Sequence, residues 1–390
     1  MPALNRIADF APDMTEWRQD FHKHPELGFE EERTSGVVAA KLAEWGIEVH
    51  RGLAKTGVVG VLRNGSSGRS IGLRADMDCL PMDETNGFPH RSTVPGKMHA
   101  CGHDGHTATL LGAARYLAET RNFDGTVHFI FQPAEEGGGG GGVMVREGLF
   151  SRFPCDSVYG LHNDPGLKLG EAAVVAGTVL AASDRVGITV RGRGGHAARP
   201  HIAIDPVLVG AQIVVALQAL VSRRTDPLDS AVISITKFHA GSAGNVIPEA
   251  AELYGTVRTL RPETQDMMER LITQVAQGTA AAHDAEAEVK YVRGYPPTVN
   301  HPAETERAAL AASRVLGEER VIRNRPPAMG GEDFSFMLLE RPGCFVKVGQ
   351  QGRDRGGVPL HNPGYDFNDD MLPLGASFFA ALVEQELPRG

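Results

Sequence analysis

The order of strand and helix patterns along the chain constrains its fold more than any other feature. Strands and helices alternate through both ends of the sequence, which predicts an α/β fold with a mostly parallel sheet covered by helices on both faces. Between residues 184 and 294 the order changes to β-α-β-β-α-β, which is typical of a ferredoxin-like α+β unit. We therefore predict one domain formed by residues 1–183 and 295–390, with a second domain, residues 184–294, inserted into it.

Composition and charge exclude several classes of protein. The chain of 390 residues has 39 basic and 48 acidic side chains, a net charge of −9, whereas a nucleic-acid binder should be basic. The N-terminus has no apolar segment of the kind found in secretory signals, and we expect no apolar run that approaches the ~18 residues of a membrane span. These features predict a cytoplasmic protein with neither a nucleic-acid nor a membrane partner.

Metal-binding side chains stand at the ends of predicted strands or just after them. This edge of an open parallel sheet is where ligands bind. Cys101 and His103 are two residues apart before a predicted helix, His162 ends a predicted strand, and His361 follows another. In a reducing compartment a cysteine is more often a ligand or nucleophile than a disulfide partner. Each residue taken alone also fits a buried or loop side chain without chemistry.

A pair of adjacent carboxylates follows the apolar segment FIFQPA. We expect Glu135 and Glu136 to close this strand, where neighbouring side chains point to opposite sides, so that one binds metal and the other reaches the water. Six glycines at residues 137–142 then allow close approach to the backbone. Asp78, at the end of another strand, is placed to hydrogen-bond a ligand histidine. The alternatives are a solvated Glu pair and a turn aspartate.

Together these residues resemble the hippurate hydrolase and auxin-conjugate amidohydrolase branch of the dinuclear metal aminoacylase and carboxypeptidase superfamily. The resemblance covers nearly the whole chain, and nine segments carry it in order. They are FHKHPELGFEE, RADMDCLPMDE, MHACGHDGHTATLLGAA, FIFQPAEEGGGG, GLHNDPGLKLG, GRGGHAARPH, AGNVIPEAAELYGTVRT, GGEDFSFM and LHNPGYDFND.

The resemblance implies two divalent metal ions per subunit held by five side chains: Cys101, His103, Glu136, His162 and His361. Cys101 would bridge the ions and Glu135 would be the general base. More distant members of the superfamily use an aspartate as bridging ligand and a histidine at the strand end, where this chain has Cys101 and Asp76. Imidazole and thiolate ligands suit zinc and carboxylates allow manganese, with nickel or cobalt as alternatives.

By the same resemblance, the inserted domain is a lid and dimerisation domain. His196 would hold the scissile carbonyl oxygen, acting in its own subunit or in a neighbouring one. Asn245 and Arg258 would bind the carbonyl and the free carboxylate of the substrate, since an arginine fork suits a carboxylate. The sequence pattern alone would place Arg258 on a surface strand. We expect a homo-oligomer, a dimer or a tetramer, formed through this domain.

The implied activity is hydrolysis of the amide bond of N-acyl amino acids, hippurate-like, N-acetyl or other, to a carboxylic acid and a free amino acid. One alternative is a dipeptidase or aminopeptidase with the same dinuclear site. A second alternative is a hydrolase that uses the Cys101 thiol as its nucleophile, which would keep its activity after a chelator removes metal ions. A metal-binding protein without catalysis would show no turnover when loaded with metal.

Overall fold

The structure, a computed structural model, describes residues 2–389, which divide into two compact units. The first unit runs to Val179 and also contains Val299–Pro326 and the chain from Asp333 onward. The second unit comprises Leu180–Thr298 and Pro327–Glu332. The predicted inserted domain, residues 184–294, falls within the second unit.

Helices and strands follow one another along the described chain in an order that alternates in the first unit. The helices are α1 (Pro2–Ala8), α2 (Ala11–Lys23), α3 (Glu32–Glu44), α4 (His103–Thr120), α5 (Gly140–Arg146), α6 (Leu149–Arg152), α7 (Pro206–Arg223), α8 (Pro262–Ala281), α9 (Pro302–Leu316), α10 (Ser335–Glu340) and α11 (Leu372–Glu386). The strands are β1 (Glu48–Leu53), β2 (Gly57–Asn64), β3 (Ser70–Asp76), β4 (Gly125–Gln132), β5 (Ser157–Lys168), β6 (Ala172–Ala173), β7 (Gly177–Leu180), β8 (Ala182–Arg191), β9 (Gly195–His196), β10 (Ala231–Ala240), β11 (Val246–Ile247), β12 (Ala250–Thr259), β13 (Glu286–Tyr295), β14 (Thr298–Asn300), β15 (Val321–Ile322) and β16 (Gly343–Gln351).

Eight strands of the first unit form one sheet in the order β1-β2-β4-β3-β5-β16-β6-β15. The pairs β4–β3, β3–β5, β5–β16 and β6–β15 are parallel, and the remaining pairs are antiparallel. Strand β3 is buried along nearly its whole length, as expected for an inner strand of a parallel sheet. The predicted α/β class with a mostly parallel sheet is confirmed. Its core includes Phe129, Leu110 and Phe379.

The second unit is built on a four-stranded antiparallel sheet in the order β10-β12-β8-β13. Along the chain the elements run β8-α7-β10-β12-α8-β13, the connectivity of a ferredoxin-like sandwich. Helices α7 and α8 pack against each other and contact the sheet. Val190, Ile213, Leu253 and Met268 belong to a core that is separate from that of the first unit. Strands β9 and β11 form a further two-stranded sheet.

Helix α7 corrects one expectation about apolar segments. It has 18 residues and, by length and composition alone, is apolar enough to cross a membrane. The expectation that no apolar run approaches this length was wrong, because α7 contains few charged residues. Its buried side chains Val209, Ile213 and Leu217 belong to the core of the second unit, and core helices of soluble proteins pass the same test.

Strand β4 ends earlier than the sequence predicted. Its last residue is Gln132, and Glu135 and Glu136 occupy a turn instead of closing the strand. Pro133 has no N–H to donate to a ladder, and Ala134 takes a left-handed conformation with φ of 54°. The argument that the two carboxylates diverge because they alternate on a strand was therefore wrong.

Strand β5 continues past the position where the sequence predicted its end. His162 pairs with Lys347 and Asn163 with Val348 of β16, and the strand reaches Lys168. His162 consequently lies inside a strand and not at its end. The long parallel pairing with β16 holds its backbone on a buried inner strand of the sheet.

Candidate metal centre

Three neighbouring parallel strands direct polar side chains to one edge of the large sheet. Strand β3 ends at Asp76, β4 ends just before Glu135, and β5 carries His162. The segment before α4 adds Cys101 and His103 to the same place. All these side chains belong to the first unit, as expected for a ligand site at the carboxyl edge of a parallel sheet.

Gly102 allows the segment between Cys101 and His103 to pass close to its neighbours. Its φ is 92°, in the left-handed region that favours glycine. A Cβ at this position would lie 2.6 Å from the Tyr365 hydroxyl and 2.7 Å from Asn163 Oδ1. A larger residue would therefore displace the two candidate ligands that flank it.

A first ligand group consists of Cys101, His103 and His162, whose donor atoms lie within 4.8 Å of one another. Cys101 Sγ is 3.5 Å from His162 Nε2. His162 Nδ1 donates to the carbonyl oxygen of Asn163 at 2.7 Å, and His103 Nδ1 donates to Asp78 Oδ1 at 3.1 Å. In both imidazoles the Nδ1 hydrogen bond leaves Nε2 as the basic nitrogen, the usual state of a metal-ligating histidine.

A second ligand group consists of Cys101, Glu136 and His361, again with donor atoms within 4.8 Å. His361 Nε2 lies 3.2 Å from Glu136 Oε1. The backbone N–H of His361, a residue with φ of 60°, donates to the carbonyl oxygen of Ala100 at 2.8 Å. This bond ties the loop that follows β16 to the segment that carries Cys101. The sulfur of Cys101 thus belongs to both groups.

The residues of both groups fit a divalent cation. His103 Nε2 is buried and has no hydrogen-bond partner among residues 2–389, although an Asp76 carboxylate oxygen lies 3.7 Å away. Burial, helped by the Glu136 carboxylate, raises the pKa of the Cys101 thiol to about 12. A coordinated cation reverses this, because a coordinating thiol is deprotonated outright. Burial, helped by Lys347, also holds the pKa of His162 well below its ordinary value, which favours the neutral ligand form.

Glu135 lies next to these ligands and is nearly buried, with 7% of its surface exposed. Its carboxylate, the Glu136 carboxylate and the His103 ring come within 4.8 Å of one another. Within the turn, the Glu135 carbonyl accepts a hydrogen bond from the N–H of Gly137 at 2.7 Å. A carboxylate in this position can exchange a proton with a group bound between the ligands.

Asp78 connects two segments of the site. While Oδ1 accepts from His103, Oδ2 accepts from the backbone N–H of Glu136 at 2.9 Å. One buried carboxylate therefore orients a candidate ligand ring and fixes the backbone of another candidate ligand. Such contacts to ligating residues set ring orientation and raise ligand basicity.

The sequence analysis gave no role in the site to His106, which lies one helical turn beyond the ligand loop. Its Nδ1 lies 2.6 Å from Asp76 Oδ1, and Nε2 accepts from the Asn163 backbone N–H at 3.1 Å. Asp76 also accepts from the buried guanidinium of Arg74 at 2.7 Å. The sequence contained a signal for the contact between Arg74 and Asp76, because residues two apart on a strand point to the same face of the sheet.

A buried residue of the GGEDFSFM segment completes this network. Asp333 accepts from Arg74 at 3.0 Å, from Gln132 Nε2 at 2.7 Å and from the backbone N–H of Gly141 at 2.8 Å. It therefore joins β3, the end of β4 and the start of α5. The sequence analysis quoted this segment, but the partners of Asp333 could not be identified from it. Gln132 is 201 residues and Arg74 is 259 residues earlier in the chain.

The remaining predicted site residues all lie in the second unit. His196 is exposed on β9, where it pairs with Val246 of β11, and the carbonyl of Asn245 accepts from the N–H of Ala197 at 3.0 Å. The structure thus brings His196 and Asn245 together. Arg258 stands on a separate strand, β12, and burial lowers its pKa.

Known proteins match this chain over most of its length. A family model described as Peptidase family M20/M25/M40 matches residues 72–385. Hippurate hydrolase of Campylobacter jejuni is 42% identical over 383 residues, 98% of this chain and 99% of that protein. IAA-amino acid hydrolase ILR1-like 4 of Arabidopsis thaliana is 40% identical over 98% of this chain and 88% of its own. The crystal structure of Bacillus subtilis YXEP, described as a dinuclear metal binding peptidase from the M20 family, superposes with a TM-score of 0.84 at 35% identity, covering 96% and 98% of the two chains.

Proposed function

Because the chain belongs to peptidase family M20/M25/M40 and is a metal-dependent amidohydrolase of N-acyl amino acids, we propose that Glu135 is its general base and Cys101 the ligand shared by two metal ions. The observation that carries this proposal is the position of the Cys101 sulfur in both ligand groups. His103 and His162 would complete one site, and Glu136 and His361 the other. Glu135 lies beside them without belonging to either group that contains Cys101.

When bound, the ions would supply acidity, lowering the pKa of a coordinated water from about 15.7 towards about 7. Glu135 accepts a proton from the attacking water while the oxygen of that water forms a bond to the amide carbon. When the C–N bond breaks, the same carboxyl group returns that proton to the departing nitrogen. One water is consumed, and a carboxylic acid and an amino acid leave. The near burial of Glu135 limits exchange of this proton with bulk solvent.

The ions that suit this donor set are zinc and manganese. One thiolate and three imidazoles favour zinc, while the Glu136 carboxylate also accepts manganese, and nickel or cobalt would bind the same atoms. Metal analysis of the purified protein, followed by chelation and reconstitution with each ion separately, identifies the ion that restores the most activity.

The acyl group that we propose is aromatic. Support comes from the names of two relatives, one a hydrolase of hippurate, which is N-benzoylglycine, and the other a hydrolase of IAA-amino acids. Hydrolysis rates of hippurate, indole-acetyl amino acids and N-acetyl amino acids, measured side by side, test this preference. Free dipeptides in the same panel measure any peptidase activity.

The second unit would contribute the groups that bind the substrate. His196 Nδ1 accepts from the N–H of Ala198 at 3.1 Å, so the neutral ring carries its proton on Nε2 and can donate to a carbonyl oxygen. Asn245 would bind the same carbonyl, and Arg258 the free carboxylate. We also propose a homo-oligomer through this unit, which sedimentation of the purified protein tests.

Substitution of the paired carboxylates tests the assignment of the base. Glu135→Gln should lower kcat by at least 10²–10⁴-fold, the usual contribution of a general base, and should retain its metal. The matched variant Glu136→Gln should lose metal as well as activity. If Glu135→Gln loses the metal and Glu136→Gln keeps it, the two roles are reversed, and a fully active Glu135→Gln enzyme removes Glu135 from the mechanism.

A further inference from the structure

We propose that Glu31 is a positioning residue for Glu135, acting by holding the backbone turn that carries it. The inference rests on the proposed role of Glu135. Glu31 lies in FHKHPELGFEE, a segment that contributes no side chain to either ligand group containing Cys101. In the structure this segment contacts the turn between β4 and α5 through Glu31 and Gly28.

Both carboxylate oxygens of Glu31 are used in contacts with other segments. The side chain is fully buried just before α3. Oε1 accepts from the backbone N–H of Ala134 at 2.9 Å, and Oε2 accepts from the Thr56 hydroxyl at 2.6 Å. Glu31 therefore holds the residue that immediately precedes Glu135.

Ala134 adopts a conformation that needs such a contact. Its φ of 54° lies in the left-handed region, which residues with a Cβ rarely adopt. Pro133, before it, has no N–H, so the N–H of Ala134 is the first donor available at the start of the turn. A hydrogen bond from this N–H to a carboxylate is stronger than one to a neutral acceptor and stabilises the strained backbone.

The packing around Ala134 restricts the turn independently of Glu31. A Cβ on Gly28, in the same N-terminal segment, would lie 2.9 Å from the Ala134 methyl. A Cβ on Gly138, on the other side, would lie 2.7 Å from the same methyl. Two glycine backbones therefore enclose Ala134, and any bulk added at Gly28 must displace it. The segment thus holds the turn by one hydrogen bond and one close contact.

The protonation state of Glu31 does not remove its contact with Ala134. Burial raises the pKa of Glu31 to about 7, with the Asp78 carboxylate adding to the effect and the Thr56 hydroxyl opposing it. A protonated carboxyl keeps one oxygen to accept from Ala134 and donates its proton to the Thr56 oxygen. Glutamine can make the same two contacts, so it should replace Glu31 in this role.

Variants of Glu31 test the proposal on the metal-loaded enzyme with hippurate as substrate. Glu31→Ala should lower kcat by about 10–100-fold, as expected for a small displacement of a catalytic group. KM and bound metal should remain within about twofold of wild type, because only the base moves. Glu31→Gln should keep kcat within about threefold of wild type. If Glu31 acted only on the stability of the fold, this difference between the two variants in kcat would not be expected.

Two matched controls separate positioning from stability. Glu26, in the same segment, accepts from the backbone N–H groups of Arg33 and Thr34 and so caps α3. Glu26→Ala should lower the unfolding temperature and leave kcat unchanged. Gly28→Ala should lower kcat like Glu31→Ala, whereas Gly36→Ala, where a Cβ has open space, should not.

A wild-type kcat in folded Glu31→Ala overturns the proposal, and so does a glutamine variant as slow as the alanine variant. Loss of metal together with activity also overturns it, because Glu31 would then act on the ligand Glu136. If Glu31→Ala does not fold, Glu31→Asp decides, because its shorter side chain withdraws the carboxylate from the N–H of Ala134; a wild-type kcat in that variant rejects the proposal. An active Glu135→Gln enzyme would instead reject the proposed base, so the two failures are distinguishable.

Discussion

His103 and His162 in the first unit are buried, and each has its Nδ1 fixed by a hydrogen bond at 3.1 or 2.7 Å. In the second unit His196 is exposed, on a two-residue strand that pairs with another of the same length. A ligand must keep its geometry without substrate, and burial with hydrogen-bonded neighbours provides this. A group that binds substrate must remain accessible. We therefore expect substitutions of His103 or His162 to lower the amount of bound metal, and substitution of His196 to lower kcat while metal is retained.

The largest effect should come from Cys101, the candidate ligand shared by the two groups. Cys101→Ala removes one donor atom from each, so both metal ions should be lost and activity should fall to background. Cys155→Ala is the matched control, because Cys155 is a free, buried cysteine outside the ligand groups described. Metal content and turnover of both variants are the measurements. A Cys101→Ala enzyme that keeps two ions and its activity would show that Cys101 is not the shared ligand.

His196→Ala should have the next largest effect and the opposite signature. Removal of one donor to a developing oxyanion costs about 10²–10³-fold in kcat, and metal content should be unchanged. His239→Ala provides a control, since His239 is also an exposed histidine of the second unit. Turnover near wild type in His196→Ala would remove this residue from the mechanism. Loss of metal would show that metal binding does not depend on the first unit alone.

Local pattern was sufficient to predict the candidate ligands. Cys101 and His103 stand two apart before a helix, and His162 and His361 follow apolar segments at one predicted edge, so residue type and order indicated a metal site. The alternation of strands and helices along the chain also indicated the mostly parallel sheet. These features depend on side-chain chemistry and on neighbours in the sequence, which a single chain displays directly.

The geometry around Glu135 could not be predicted in the same way. The alternating pattern of β4 continues towards the carboxylates, and the strand ends because Ala134 turns into the left-handed region. That conformation is stabilised by Glu31, 103 residues earlier, and by close packing on Gly28. Contacts of this kind depend on the complete fold. His106 was not identified from the sequence for the same reason, because its partners Asp76 and Asn163 come from two separate strands.

The smallest predicted effect concerns stability and a buried ion pair that contributes no side chain to either ligand group containing Cys101. His22 lies 2.8 Å from Asp104 and 3.3 Å from Glu84. Burial disfavours its charge, yet these carboxylates outweigh burial and raise the pKa of His22 to about 9. Since the folded pKa exceeds the unfolded value of 6.5, this contribution to stability is complete below pH 6.5 and is lost as pH rises through about 9.

Urea unfolding of the metal-loaded enzyme at several pH values measures this contribution. The free energy of unfolding should fall by on the order of 1 kcal/mol between neutral pH and about pH 9. His22→Gln should remove most of this slope, because glutamine does not titrate, and should lower stability near neutral pH. His239→Gln, on the exposed surface of the second unit, should retain the wild-type slope. Equal slopes in wild type and His22→Gln would mean that the buried pair of the first unit does not contribute to its pH dependence.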